Sequence, residues 1–349
     1  SVKVRMMNRS CASLVCAAVF GLLPATAVRS YAATNTWNGG SGSGNNFSDS
    51  ANWGGTAPNQ NDDWLIFDGS TRLTPNNDQA AGFYSFGNIA FSNGAGAFTL
   101  GGNWTKLTGD IVNNSANTQV DNLGHEFHAD VQLNAAVGPL EFGGPASLNP
   151  NGYCMTVTST NVTTFKLPVN GAGQYIRVTN NAILQFSRND IFGNGAAVPT
   201  DIITNINSTI RNGGNYFNTV GPLVFDGGTL TAVGGANASF QSFSFKGTVT
   251  TLASATSTVF ASSGSNSGMH LRRGASGGTT FNIADGAAAD DLLVSAVLLE
   301  RRAAASGVHS RGGRSTRCAV RWRAVAAPRA TARSPPGPVP SSRWGGRRC

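Results

Sequence analysis

From residue 33 to about residue 299 the chain is a succession of short β-type runs, most of them four or five residues long or shorter. Each is cut off by turn residues. Examples are residues 88–92, 97–100, 131–133, 139–142, 155–158, 164–167, 175–178, 182–186, 202–206, 223–225, 229–231, 243–245 and 248–250. β-branched and aromatic residues supply the apolar side chains. Asn-Gly, Gly-Gly and Asp-Gly pairs supply the punctuation, because they adopt positive φ at low cost. Residues 287–299 alone suggest a helical stripe, and only weakly. Charged residues make up 12% of the chain and apolar residues 40%, a balance too apolar for a disordered polymer.

Strands this short and numerous favour a parallel β-helix, in which each coil lays short strands against those above and below. Asn recurs at the expected corners, as at Asn113-Asn114, Asn180-Asn181 and Asn212. There it can adopt the left-handed conformation and ladder through its amide. PLEFGG at 139–144 resembles PLVFDGG at 222–228, and IAFSNGAGAFTLGG at 89–102 resembles LVFDGGTLTAVGG at 223–235. These pairs suggest coils of about 20–25 residues. A β-sandwich pair is the alternative.

Residues 36–69, TWNGGSGSGNNFSDSANWGGTAPNQNDDWLIFDG, read as the cap and first coil, with Trp37 and Trp53 over the open end. An uncovered first coil would expose an apolar interior and a free strand edge. The expected organisation is a signal peptide over 1–32, the cap over 33–69, the solenoid over 70–299 and a tail without stable fold over 300–349. The leader has Lys3, Arg5 and Arg9, then an apolar run over residues 11–23 that is too short to span a bilayer, then Ser30-Tyr31-Ala32 for cleavage after Ala32. Met6 and Met7 are candidate starts, or the chain is a fragment. No later stretch looks transmembrane.

The tail holds twelve arginines after residue 300 and no acid. Its Arg, Ala, Gly, Pro, Ser, Trp and Cys are what GC-rich codons give out of frame, the reading we favour over a basic arm. The net charge of +8 therefore misleads: residues 33–299 carry nine basic and sixteen acidic side chains, about −7. Nucleic acid is not an expected partner. Of five cysteines only Cys154 lies in the middle, where it reads as a small buried residue, with no disulfide or Cys/His metal spacing available.

No catalytic, cofactor or metal site is legible. His125-Glu126-Phe127-His128 superficially suggests zinc, but the histidines stand three apart, on opposite faces if in a strand. The segment reads as a surface turn. Asp62, Asp63, Asp68 and Asp78, and Asp290 with Asp291, read as turn-forming Asx residues rather than calcium ligands. A polysaccharide lyase or hydrolase is the main enzymatic alternative, for which Asp190 with Asp201, or Asp226 with Arg211, are candidate neighbours on adjacent coils. Trp37, Phe47, Trp53, Trp64 and Trp104 are candidate sugar platforms, with core or cap packing as the default.

The opening at 36–69, GPLVFDGGTLTAVGGANASFQSFSFKGTVTT at 221–251 and GGTTFNIADGAAADDLLVSAVL at 277–298 resemble bacterial proteins with autotransporter-associated β-strand repeats, over roughly residues 34–298. The resemblance implies a β-helix displayed outside the cell, at the outer membrane, for adhesion or surface coating. The expected function is an exported, non-enzymatic, adhesin-like or coating passenger. Its expected partner is surface polysaccharide or the surface of a host or neighbouring cell.

Overall fold

In a strand of three to five residues, alternation sends every second side chain to one face. Along this chain those side chains converge on a single axis. The protein, described by a computed structural model, is an all-β parallel solenoid. The structure describes residues 32–301, apart from 60, 171–174, 194–201, 238, 262–263 and 273–278, together with 320–322. The expected leader, its cleavage site after Ala32 and most of the tail lie outside the described residues. Among the described residues no helix is long and apolar enough to cross a membrane.

Each coil visits three faces. The first runs through Thr34–Trp37, Asp63–Phe67, Ser85–Phe91, Ile111–Asn113 and onward to Thr279–Ile283, in a 14-stranded sheet. The second is an 11-stranded sheet that includes Gln119–Asp121, Leu140–Phe142, Val162–Phe165 and Ile183–Phe186. Thr105–Leu107, His125–Phe127 and Leu148–Asn149 form the third face. They belong to the same sheet as the first face because Ser85–Phe91 turns the corner. It pairs at Ser85 and Phe86 with Lys106 and Leu107, and at Ile89 to Phe91 with Ile111 to Asn113. The third face continues through Val169 and Ile191 into the 4-stranded sheet that begins at Asn218–Val220.

All pairings between described strands are parallel except that of Val320–Trp322 with Leu292–Val294. The segment expected to be without fold therefore contributes the end of Leu298–Arg301 and this one short strand to the described residues. The stripe at 287–299 is not helical; it holds Leu292–Val294 and the start of Leu298–Arg301. Leu292 and Val294 alternate inward, as strand residues do.

Coil length is less regular than the sequence suggests. Ile203 pairs with Leu223, 20 residues on, but Trp37 pairs with Phe67, 30 on, and Val249 with Phe281, 32 on. The excess lies in the loops between faces. Residues 89–102 and 223–235 do occupy the same coil position: Ile89 and Leu223 both lie on the first face. PLEFGG and PLVFDGG do not, since Leu140 is on the second face and Leu223 on the first. Their likeness reflects strand-then-turn chemistry rather than a repeat.

The interior is a column of inward side chains. Phe142, Phe165 and Phe186 stand in register on the second face, with ring centroids 5.8 and 6.4 Å apart. At the N-terminal end Trp37, Phe47 and Trp53 are buried. Trp53 meets Trp37 edge-on at 5.1 Å and Phe47 at 5.4 Å, and donates its indole N–H to the Phe47 carbonyl at 2.8 Å. Phe67 lies beneath and stacks on Phe91 at 5.5 Å. Such edge contacts add about 0.5–1.5 kcal/mol per pair beyond the area buried. The cap expected at residues 36–69 is therefore built from aromatic rings.

Corner asparagines divide into two kinds. Asn180 and Asn181 take positive φ, as expected. Asn113 and Asn212 instead point inward and are fully buried. Asn113 donates to the carbonyls of Asn117 and Pro139, and Asn212 to those of Tyr216 and Ser242. These amides fill the corners and add a second donor to the Pro139 and Ser242 carbonyls, which also accept from the N–H groups of Gln119 and Asn218.

Candidate functional site

The acids noted in the sequence are mostly occupied in holding turns. Asp62 accepts from the hydroxyls of Ser85 and Thr108. Asp63 is buried and accepts from the backbone N–H groups of Ala33 and Asn59. Asp68 takes the Ser92 hydroxyl, and Asp78 takes the N–H and hydroxyl of Ser48. Asp291 is buried and accepts from Gly286 N–H at 2.9 Å. Two further acids, Asp110 and Asp130, accept from the N–H groups of Gln132 and Cys154 in the following coils. With Asn88, which accepts from Asp110 N–H, they form a ladder up one corner.

The candidate neighbours Asp226 and Arg211 stand on different faces, and the pair of Asp190 with Asp201 is described only at Asp190. Asp201 lies outside the described residues, and Asp190 sits in a turn with φ 54°. Asp226 is on the first face and Arg211 on the second, where Arg211 donates to Gln185 at 2.9 Å. Cys154 is buried, with its Sγ 3.9 Å from Thr156 Oγ1.

His125 to His128 is not a surface turn. His125–Phe127 is a strand of the third face, and His125 points inward, fully buried. Its Nε2 lies 2.8 Å from Asp121 Oδ2 and its Nδ1 2.9 Å from Thr105 Oγ1. The carboxylate can only accept, so Nε2 presents its proton to it. Asp121 also accepts from Leu123 N–H. His128 faces outward and meets Glu126 at 2.8 Å. The two histidines thus occupy opposite faces, as strand geometry requires. Among the described residues no group of three or more His, Cys, Asp or Glu is placed to hold a metal ion.

Of the five aromatics considered as sugar platforms, Trp37, Phe47 and Trp53 are buried in the cap. Trp64 and Trp104 are exposed, by 49% and 39%. Sequence reasoning misses Phe83, which is 64% exposed and packs edge-on against Tyr84 at 4.7 Å. A phenylalanine followed by tyrosine, serine and phenylalanine gives no sign of which ring turns outward.

Two open clefts lie beside Phe83 and Trp104, at or next to the start of the third face. One, of about 390 Å³, lies against Phe83, Tyr84, Pro58 and Gln79. The other, of about 260 Å³, lies against Trp104, Gly124, Glu126, Ala146, Ser147 and Asn149. Backbone hydrogen bonds link Gly82 to the Trp104 carbonyl and Thr105 to the Gly124 carbonyl, which sets Gly82, Trp104 and Gly124 at one corner of successive coils. The Trp104 indole lies over Gly82, where a Cβ would stand 2.0 Å from the ring. On the other side a Cβ on Gly124 would meet Ala146 at 2.6 Å. Lys106, Glu126 and Asn149 form the outward ladder beside this column.

No protein-family model, no curated protein and no solved structure matches the chain.

Proposed function

We propose that the chain is an exported, non-enzymatic β-solenoid that works at a bacterial surface, as an adhesin-like or coating passenger. Its long lateral faces would engage polysaccharide or a neighbouring cell's surface through many separate polar contacts. One observation carries this reading: the acids at the coil corners accept hydrogen bonds from neighbouring coils, so their carboxylates serve to join one coil to the next. The resemblance of residues 34–298 to autotransporter-associated repeat proteins, and the basic and apolar leader before Ala32, support export and surface display.

The test has two parts. Protease treatment of intact producing cells should degrade the chain, and the mature N-terminus should fall at residue 33 or within two residues of it. Incubation of the purified chain with polysaccharides should give no new reducing ends. A chain protected in intact cells would remove the surface role. Steady release of reducing ends or unsaturated products would establish the polysaccharide-active alternative in its place.

A further inference from the structure

We infer that the third face carries a binding site for a neutral, hexose-based glycan, with Trp104 and Phe83 as its platforms. This rests on the surface-binding reading above and names the place where binding occurs. The Trp104 position is the starting point. It is an indole in a column otherwise made of Gly82, Gly124 and Ala146, and its neighbours have no bulk. Gly82 admits the ring across the preceding coil, and Gly124 lets Ala146 pack close beneath it, beside a cleft lined by Trp104, Glu126, Ser147 and Asn149.

A tryptophan needed only for packing would be covered, as Trp37 and Trp53 are. Trp104 instead keeps 39% of its surface open, and Phe83, next to Gly82, keeps 64%. Exposed apolar rings grouped this way mark an interaction site. A pyranose ring suits them because its C–H face is apolar and stacks on an aromatic ring, while its edge carries hydroxyls. Those hydroxyls need donors and acceptors at the rim. Glu126, Asn149 and Ser147 stand along the groove, and Lys106 stands in register with Glu126.

Charge selects the class of glycan. Lys106 and His128 stand beside Glu126, so the rim has both signs close together. The folded middle of the chain carries about −7, which repels a polyuronate or sulfated chain. The clefts beside Phe83 and Trp104 are separate and open, one against each ring, which suits successive sugars of a polymer better than a single enclosed monosaccharide.

The experiment uses the full chain in affinity electrophoresis against a β-1,4-glucan, a β-1,3-glucan, a galactomannan and polygalacturonate, with tryptophan fluorescence as a second readout. We expect at least one neutral polysaccharide to retard the chain and shift its fluorescence, and any retardation by polygalacturonate, which the twelve tail arginines attract, to be the same in Trp104→Ala as in the parent. Trp104→Ala should weaken retention about tenfold or more and abolish the shift, Phe83→Ala should weaken it severalfold, and Trp104→Phe should recover most of it. Trp64→Ala, which removes an indole more exposed than Trp104, on the first face, should bind as the parent does. Circular dichroism and melting of each variant separate loss of the site from loss of the fold. Retention of polygalacturonate alone, equal loss in Trp64→Ala, or undiminished binding by a folded Trp104→Ala overturns the inference. A chain that reaches the surface but retains no neutral glycan overturns the site and leaves the surface role standing. A chain that binds but stays inside the cell does the reverse.

Discussion

The N-terminal end and the middle of this solenoid meet the same problem with different chemistry. A coil at the end has a neighbour on one side only, so its inward face needs a cover. Three buried rings, Trp37, Phe47 and Trp53, provide it, locked edge-to-face over Phe67. A middle coil is already covered by its neighbours. Its difficulty is the corner, where the backbone bends and carbonyls turn inward. Buried amides such as Asn113 and Asn212 meet those carbonyls. Apolar area stabilises the end; directed hydrogen bonds hold the middle.

The largest effect separating the two regions should come from Trp53→Ala. Truncating a buried aromatic costs about 3–5 kcal/mol, and at the cap the loss should stay local. Hydrogen exchange should accelerate over residues 34–67 while residues 111–226 keep their protection. Equal loss of protection in both regions would show that the end and the middle are one cooperative unit.

Asn212→Ala should come next. It takes the amide donor from the Tyr216 carbonyl, at about 1–3 kcal/mol for a group left without a partner, while the Ser242 carbonyl keeps the Asn218 N–H. Denaturant unfolding measures the total. Exchange should rise around residues 209–220 and leave the first coil untouched. A cost near zero would mean that water replaces the amide and that the plug is dispensable.

Lys166→Ala tests the outer surface, where Lys166 pairs with Glu141. An exposed pair is worth roughly 0–1 kcal/mol, so the unfolding midpoint should barely move. A clear shift would mean that outward ion pairs, and not the interior alone, hold the coils together.

The smallest effect concerns pH at the cap. Asp49 precedes the short turn Ser50–Trp53, and its carboxyl is held below the ordinary value. The Ser41 hydroxyl does most of this, followed by Ala51 N–H, with slight desolvation opposing and the Arg72 charge adding. A lowered value means the carboxylate stabilises the cap fully above the ordinary carboxylate range and loses that effect as pH falls through the lowered value. Acid should therefore speed exchange in the first coil before the middle responds, and Asp49→Asn should remove that difference. An unchanged acid response in Asp49→Asn would assign it to other carboxylates.

Much of this architecture is legible in the sequence because inward positions on the first two faces are mostly Leu, Ile, Val and Phe. Alternation then reveals Tyr175–Val178, Ile202–Ile206 and Phe243–Phe245 with their observed bounds. Legibility fails where an inward residue is polar. Gln119, Asp121 and His125 all point into the core, each held by hydrogen bonds, so Gln119–Asp121 shows no apolar alternation and His125–Phe127 reads as a turn. Asn113 and Asn212 mislead similarly, since one residue type serves both as left-handed corner and as buried plug. Exposure of Trp64, Phe83 and Trp104 is invisible for another reason. It depends on which small residues stand one coil away, some twenty positions along the chain, as Gly82 and Gly124 do for Trp104.

The parallel register also determines how the molecule bears load. In the backbone ladders each described coil bonds to the one before and the one after, as Ile176 does between Met155 and Ile203. A pull along the axis from the N-terminus would load those rungs in sequence, peeling one coil before it strains the next. The force needed should then stay nearly constant as coils are released, with one higher step where the three rings of the first coil let go. A tether built this way lengthens by discrete increments of 20 to 32 residues and dissipates work at each, while the coils beyond the break stay folded.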